Sequence, residues 1–428
     1  MTIVSTTAGH LRGAAEGALH VFRGIPFAKP PVGDLRFRAP QPPEPWTGVR
    51  DALAFRPAAL QVASPVGAAL AMDIDATDED CLYLNVWTPS PEGRRPVMVW
   101  VHGGAFVIGS GSQPLYDGSG LAARGDVVVV TLNYRLGLFG FLHGKTLCGD
   151  ALDSTGNEAI LDQVAALRWV RDEIAAFGGD PDNVTVFGES AGAISVAALL
   201  GMPAARGLFQ KAILESGSAN LVATATAASE TAAKILAHFG LEPAEAHRLR
   251  AIPAADLLEA QTAVTPRTSG VAYGPVIDGD VLPRSPFDAV AAGETRGVAL
   301  LGGTTMDELK LFAFMDPGVF QLDEDGLQAR IEAVLPGRGA AAIATYRSAR
   351  EGRGEPVTPF ETYEAIMTDN AMRYPVNRLL ELQAAHTPQV YAYLFTHPSP
   401  SLGGMLGACH AIDLPFVFGT YGLEAMKT

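Results

Sequence analysis

The sequence predicts an α/β fold, a central and mostly parallel twisted sheet flanked by helices, and three observations carry that prediction. Val97-Met98-Val99-Trp100-Val101 and the run from Val127 to Leu132 are continuously apolar, the pattern of strands covered on both faces. Between Asp162 and Phe177 the positions Val164, Leu167, Val170 and Ile174 keep helical spacing, and Gly178-Gly179-Asp180-Pro181 stops that helix. A third strand, Val184-Thr185-Val186-Phe187, then turns through Gly188-Glu189-Ser190-Ala191-Gly192 into the helix-like stretch from Ile194 to Leu200. Strand, helix, strand and helix in this order imply right-handed parallel crossovers.

Taken in order, the chain first shows Phe22 to Trp46, too rich in proline for a helix or central strand. Its aromatic and arginine side chains predict an ordered, extended coat on the core. Residues 58–76 are small and apolar without clear period, which fits a surface loop. Strand signals resume at Leu82-Tyr83-Leu84-Asn85-Val86-Trp87. Past Ser190 a buried strand is expected at Lys211-Ala212-Ile213-Leu214-Glu215-Ser216, followed by an alanine-rich helical zone from about Ala227 to Ala263. That zone predicts a helical cap inserted over the sheet, spanning about 220–295. Val298-Ala299-Leu300-Leu301-Gly302-Gly303 and Val390-Tyr391-Ala392-Tyr393-Leu394-Phe395 complete the expected core strands. With no internal repeat and no convincing linker, residues 1–428 are expected to form one catalytic domain.

Composition limits the function classes. Hydrophobic residues make up 48% of the 428 residues and charged ones 18%, which fits a globular chain and excludes a disordered one. A net charge of −15 argues against nucleic acid or an anionic membrane as partner. Cys81, Cys148 and Cys409 leave an odd count and no metal-binding spacing, so a reduced, cytoplasmic protein is expected. Met1 to His10 lacks the basic and apolar regions of a signal peptide, and no apolar run approaches the ~18 residues of a membrane span.

The chemistry starts at the turn. A strand that bends sharply into a helix crowds its backbone, so small residues belong two positions either side of the turning residue, where Gly188 and Gly192 stand. Ser190 is thereby pushed out at the amino end of a helix, which favours negative charge. A nucleophilic serine needs a base and the base needs an acid. His238 and His247 fall in the helical zone and His386 ends a helix-like stretch, whereas His397 directly follows a strand and His410 sits in a glycine-rich loop; the last two are the candidates. For the acid, Asp307 and Glu308 both follow a buried strand and both fit. His102-Gly103-Gly104-Ala105-Phe106 follows the Val97 strand and offers backbone N–H groups for an oxyanion, with a further one from Ala191. Phe106, Phe312 and Phe314 suggest an apolar pocket, the latter two fitting the core equally well.

These residues resemble the type B carboxylesterase family, the cholinesterase-like branch of the α/β-hydrolases that includes bacterial para-nitrobenzyl-esterase-like enzymes. The resemblance rests on Phe22-Arg23-Gly24-Ile25-Pro26-Phe27-Ala28, Glu79-Asp80-Cys81-Leu82-Tyr83-Leu84-Asn85-Val86, the His102 loop, Asn133-Tyr134-Arg135-Leu136-Gly137 and Phe177-Gly178-Gly179-Asp180-Pro181. The Ser190 turn, Pro275-Val276-Ile277-Asp278-Gly279 and the His410 segment continue it in the family's order. It implies the α/β-hydrolase fold, Ser190 as nucleophile, Glu308 rather than Asp307 as acid, and His410 rather than His397 as base. The implied oxyanion donors are the N–H groups of Gly104, Ala105 and Ala191. Ser216 matches a serine that supports the acid, Glu189 a residue near the alcohol side of the substrate, and Gly103 and Phe106 lie beside these positions.

Three departures stand out. Ala59 occupies the place where secreted relatives carry a cysteine that pairs with the position of Cys81, Asp413 stands where the family usually has Glu, and the chain reaches Thr428 where relatives usually continue through another helical segment. The implied activity is hydrolysis of small-molecule carboxylic esters through an acyl-enzyme, without metal or organic cofactor, by a monomer or small homo-oligomer. Hydrolysis of carbamates, lactone-like esters or amides on the same residues is the alternative, and a non-catalytic cholinesterase-like binding protein the rival from another class.

Overall fold

The computed structural model describes residues 1–62, 74, 76–265 and 272–422. Eleven strands form its main sheet: Thr2–Thr6 (β1), Gly9–Glu16 (β2), Leu19–Pro26 (β3), Val49–Asp51 (β4), Tyr83–Thr88 (β5), Arg95–Val101 (β6), Val128–Leu132 (β7), Gly179–Glu189 (β8), Lys211–Glu215 (β9), Ala299–Thr305 (β10) and Val390–Phe395 (β11). Their order across the sheet is β1-β2-β3-β5-β7-β6-β8-β9-β10-β11, with β4 beside β2. Along that order the pairs as far as β7 are antiparallel, and every later pair is parallel. The apolar runs behave as their composition requires, since all residues of β5 and β7 are buried.

The longer helices are Glu158–Glu173 (α1), Ala191–Gly201 (α2), Ala225–His238 (α3), Ala254–Val264 (α4), Glu324–Val334 (α5), Gly339–Gly352 (α6), Pro359–Thr368 (α7) and Tyr374–Ala384 (α8), of which α1, α2 and α8 pack against this sheet. Among the described residues no helix is long and apolar enough to cross a membrane. Each of the eleven residues of α2 is buried, as a helix of Ala, Ile, Val and Leu interrupted only by Gly192, Ser195 and Gly201 demands. Helices α5, α6 and α7 hold their own small core of Leu327, Ile331, Ile343 and Ile366.

Three sequence expectations change. Part of the segment expected as an extended coat enters β3, because Pro26 is the last residue of that strand, where a missing donor costs little. In the expected loop at 58–76, Ala58–Ala59 pair with Thr77–Asp78 and the two alanines are buried, while 63–73 and 75 lie outside the described residues. The Val390 run is an edge strand and not a core one. It pairs with β10 alone among the described residues, leaving Tyr391 60% and Leu394 47% exposed. The helix stop is as expected: a 3-10 turn follows α1, and Gly178 sits at φ +76° where a Cβ would meet Ser90 O at 2.2 Å.

The carboxyl ends of β6, β8 and β10 open on one side of the parallel half, the place where open α/β sheets bind ligands. They carry the His102 loop, Ser190 and Glu308.

Candidate active site

Ser190 joins β8 to α2 with φ 55° and ψ −123°, a backbone conformation that strains any residue with a side chain. Two hydrogen bonds hold it there, from Ser190 N–H to Glu215 O at 2.9 Å and from Ile194 N–H to Ser190 O at 3.0 Å. The flanking glycines are dictated by close approach. A Cβ on Gly192 would lie 2.0 Å from Val101 O, and one on Gly188 2.7 Å from the same oxygen. The Ser190 side chain does not cap α2, so its half-buried hydroxyl is left for other work.

Beyond β10 the chain places Glu308 at full burial. One carboxylate oxygen, Oε1, accepts from Thr305 N–H at 2.7 Å, and the other, Oε2, lies 2.6 Å from His410 Nδ1. A carboxylate only accepts, so Nδ1 carries the proton. His410 Nε2 lies 3.0 Å from Glu189 Oε1, and among the described residues no hydrogen bond joins it to Ser190 Oγ. The imidazole thus bridges two carboxylates. Burial disfavours its charged form, but the charges and hydrogen bonds of Glu189 and Glu308 outweigh burial and hold its pKa well above 6.5. Behind it, burial pushes the Glu215 carboxyl well up, with Asp413 and Glu189 adding to the effect. Burial and then the charges of Glu189 and Glu308 raise Asp413 to about 7. Tyr393 donates its hydroxyl to Asp413 Oδ2 at 3.2 Å.

At the end of β6, His102 is buried and stacks on Tyr134 with ring centroids 4.4 Å apart and planes 17° apart. Tyr134 also donates its hydroxyl to His102 O at 2.7 Å. Burial pushes the His102 pKa down to about 4, so the ring is neutral near pH 7. Its Nδ1 is 2.8 Å from Gly103 O and must be the donor, since a carbonyl only accepts. In a trans peptide the C=O and the following N–H point opposite ways. Tying Gly103 O to His102 therefore fixes the direction of the Gly104 N–H. Gly104, Ala105 and Phe106 follow at φ 112°, 53° and 63°, closing a turn in which Val107 and Ile108 N–H both donate to Gly104 O at 3.0 Å. Gly103 abuts the serine, since a Cβ there would stand 2.9 Å from Glu189 Oε2 and 3.3 Å from Ser190 Cβ. Among the described residues the N–H groups of Gly104, Ala105 and Ala191 donate to no protein acceptor.

The structure places the alternatives differently. Asp307 turns away from His410 and accepts from Ala408 N–H at 2.8 Å. His397 is exposed and packs on Phe416, ring centroids 5.3 Å apart. Phe312 lies 5.0 Å from the His410 ring, whereas Phe314 is 42% exposed and pairs with Phe320. Phe106 is wholly buried against Phe141. Ser216 sits at φ 53° with its N–H on Gly303 O at 2.9 Å, and its hydroxyl makes no hydrogen bond among the described residues, so it does not reach Glu308. The contact of Glu189 with the imidazole was not legible in the sequence; its one signal is an acid directly before the turning serine.

The model of the Carboxylesterase family matches residues 1–428. The para-nitrobenzyl esterase of Bacillus subtilis is 44% identical over 431 residues, which covers 99% of this chain and 84% of that protein. The phenmedipham hydrolase of Pseudarthrobacter oxydans is 39% identical over 426 residues, covering 97% of this chain and 82% of that one. Among solved structures, the carboxylesterase EST55 of Geobacillus stearothermophilus superposes with a TM-score of 0.89 at 44% identity, covering 100% of this chain and 86% of that one. Its mostly parallel sheet with flanking helices is accordingly the α/β-hydrolase fold, and the chain belongs to the carboxylesterase family as a carboxylic ester hydrolase.

Proposed function

We propose that ester hydrolysis runs on a serine triad, with Ser190 as nucleophile, His410 as general base and acid, and Glu308 as the group that holds the imidazole. The observation that carries this reading is the 2.6 Å contact of Glu308 with His410 Nδ1, two strands from the Ser190 turn. With Nδ1 committed, Nε2 is the nitrogen that takes a proton. Ser190 Oγ bonds to the ester carbonyl carbon as its proton passes to Nε2 and the carbonyl electron pair moves to oxygen. Gly104, Ala105 and Ala191 N–H receive that charge. Collapse of the intermediate expels the alkoxide, which takes the proton from Nε2 and leaves as alcohol. Water then attacks the acyl-enzyme with His410 again as base, and the carboxylic acid departs as Ser190 regains its proton.

In the free enzyme Nε2 faces Glu189, so productive binding transfers that contact to Ser190. A pH dependence follows. His410 must be neutral to act as base, and its two carboxylate neighbours favour the imidazolium. The acid limb of kcat/KM is therefore expected above pH 6.5, and Glu189→Gln moves it to lower pH because one stabilising negative charge is gone. A limb that stays in place in the variant would remove Glu189 from the account.

The Phe312 ring against His410 supports an apolar ester, and para-nitrobenzyl esters, after the name of the Bacillus relative, are the first to try. Carbamates, lactone-like esters and amides would be tested next on the same residues. We read 220–295 as a helical cap, supported by Gly274, whose Cβ would lie 3.3 Å from the Phe106 ring beside the site. Three free cysteines support a cytoplasmic location.

The test is intact mass after incubation with a phosphonate ester, on wild type and Ser190→Ala side by side. One label per wild-type chain, lost in the variant, is expected. Absence of label on folded wild type, or equal labelling of both proteins, would reject Ser190 as the nucleophile.

A further inference from the structure

We infer that Asp307 is a positioning residue of the esterase reaction: it clips the loop that carries His410 to the end of β10, so that the imidazole meets Glu308. The inference rests on the reading of His410 as the base. Asp307 and Ala408 form a reciprocal pair. Asp307 N–H donates to Ala408 O at 2.9 Å, and Ala408 N–H donates back to Asp307 Oδ2 at 2.8 Å, two residues before His410. Gly407 permits this closeness, since its φ is +55° and a Cβ there would stand 2.3 Å from Asp307 Oδ2.

The carboxylate is anchored from the opposite side. Asp307 Oδ1 lies 3.3 Å from Lys310 Nζ, which lies 3.4 Å from Glu361 Oε2 on α7. Glu361 in turn meets Arg350 of α6 at 3.2 Å. The fixed point of the clip is thus a pair of helices outside the sheet. The two adjacent acids divide the task of holding one loop: Asp307 grips its backbone and Glu308 grips its imidazole. Without the carboxylate, the loop keeps the backbone bonds from Asp307 N–H to Ala408 O and from Ser399 N–H to Gly407 O, but it loses the acceptor that orients the Ala408 N–H two residues before the imidazole. Misplacement of the base by about 1 Å is enough to lower turnover about a hundredfold.

The experiment compares Asp307→Ala, Asp307→Asn, Gly407→Ala and His410→Asn with wild type. Turnover is normalised to sites titrated with the phosphonate, and folding is checked by circular dichroism. Asp307→Ala is expected to lower kcat about 10- to 100-fold with KM changed less than about threefold. Asp307→Asn keeps a carbonyl oxygen for the Ala408 amide and is expected to restore most of the rate. Folded Asp307→Ala with kcat within about twofold of wild type overturns the inference. So does Asp307→Asn falling as far as Asp307→Ala, which would assign the effect to the charge facing Lys310. Should Asp307→Ala not fold, Gly407→Ala tests the same contact from the loop side, and an unchanged kcat there overturns the inference equally. His410→Asn retaining activity would reject the triad reading itself, whatever the Asp307 variants do.

Discussion

Replacing Glu308 with glutamine is expected to lower kcat roughly ten-thousand-fold, about 5.5 kcal/mol of transition-state stabilisation, while the fold survives. The reason is proton placement. Thr305 N–H donates to Glu308 Oε1, so a glutamine must present its carbonyl oxygen there and its NH2 group to His410 Nδ1. Facing a donor, Nδ1 must become an acceptor, and the ring proton moves to Nε2. That nitrogen lies 3.0 Å from Glu189 Oε1, whose negative charge favours a proton there. An imidazole already protonated on Nε2 cannot take the proton of Ser190. Turnover per titrated site, with a circular dichroism spectrum matching wild type, measures the effect; a loss under tenfold would mean that His410 does not depend on Glu308 for its tautomer.

The second large effect is on stability. Gly192→Ala is expected to cost about 3 kcal/mol or more, because its Cβ would stand 2.0 Å from Val101 O and 2.9 Å from His102 O. Both obstacles are backbone atoms at the end of β6, and neither can rotate aside as a side chain would. Relief requires the first turn of α2 to back away, taking Ser190 and the Ala191 N–H with it. A denaturant midpoint near wild type, with unchanged turnover, would show that the turn has room to spare.

Much of this site was legible because some steric demands admit few residues. A strand that reverses into a buried helix needs Gly188 and Gly192, and the apolar runs of β6 and β7 fit only strands covered on both faces. The choice between Asp307 and Glu308 lay beyond local pattern, since both follow the same strand. It depends on which carboxylate the backbone turns toward a loop a hundred residues away. His397 and His410 differ in the same nonlocal way, one exposed beyond an edge strand and the other between two buried acids. The exposure of β11 was hidden because Val390 to Phe395 reads as apolar whether or not a second strand flanks it. Glu189 was legible as an acid beside the serine, but its approach to Nε2 is a matter of side-chain direction.

The three N–H groups of Gly104, Ala105 and Ala191 that find no protein acceptor among the described residues have a consequence for how this molecule can improve. On the serine-triad reading proposed above, they form a standing electric field at the mouth of the sheet, offset by a charge only during the lifetime of an intermediate. The resting fold is therefore locally less content than its own backbone could make it. A substitution that offered these dipoles a permanent acceptor would yield a sturdier protein and a slower esterase, so robustness and turnover pull this loop in opposite directions.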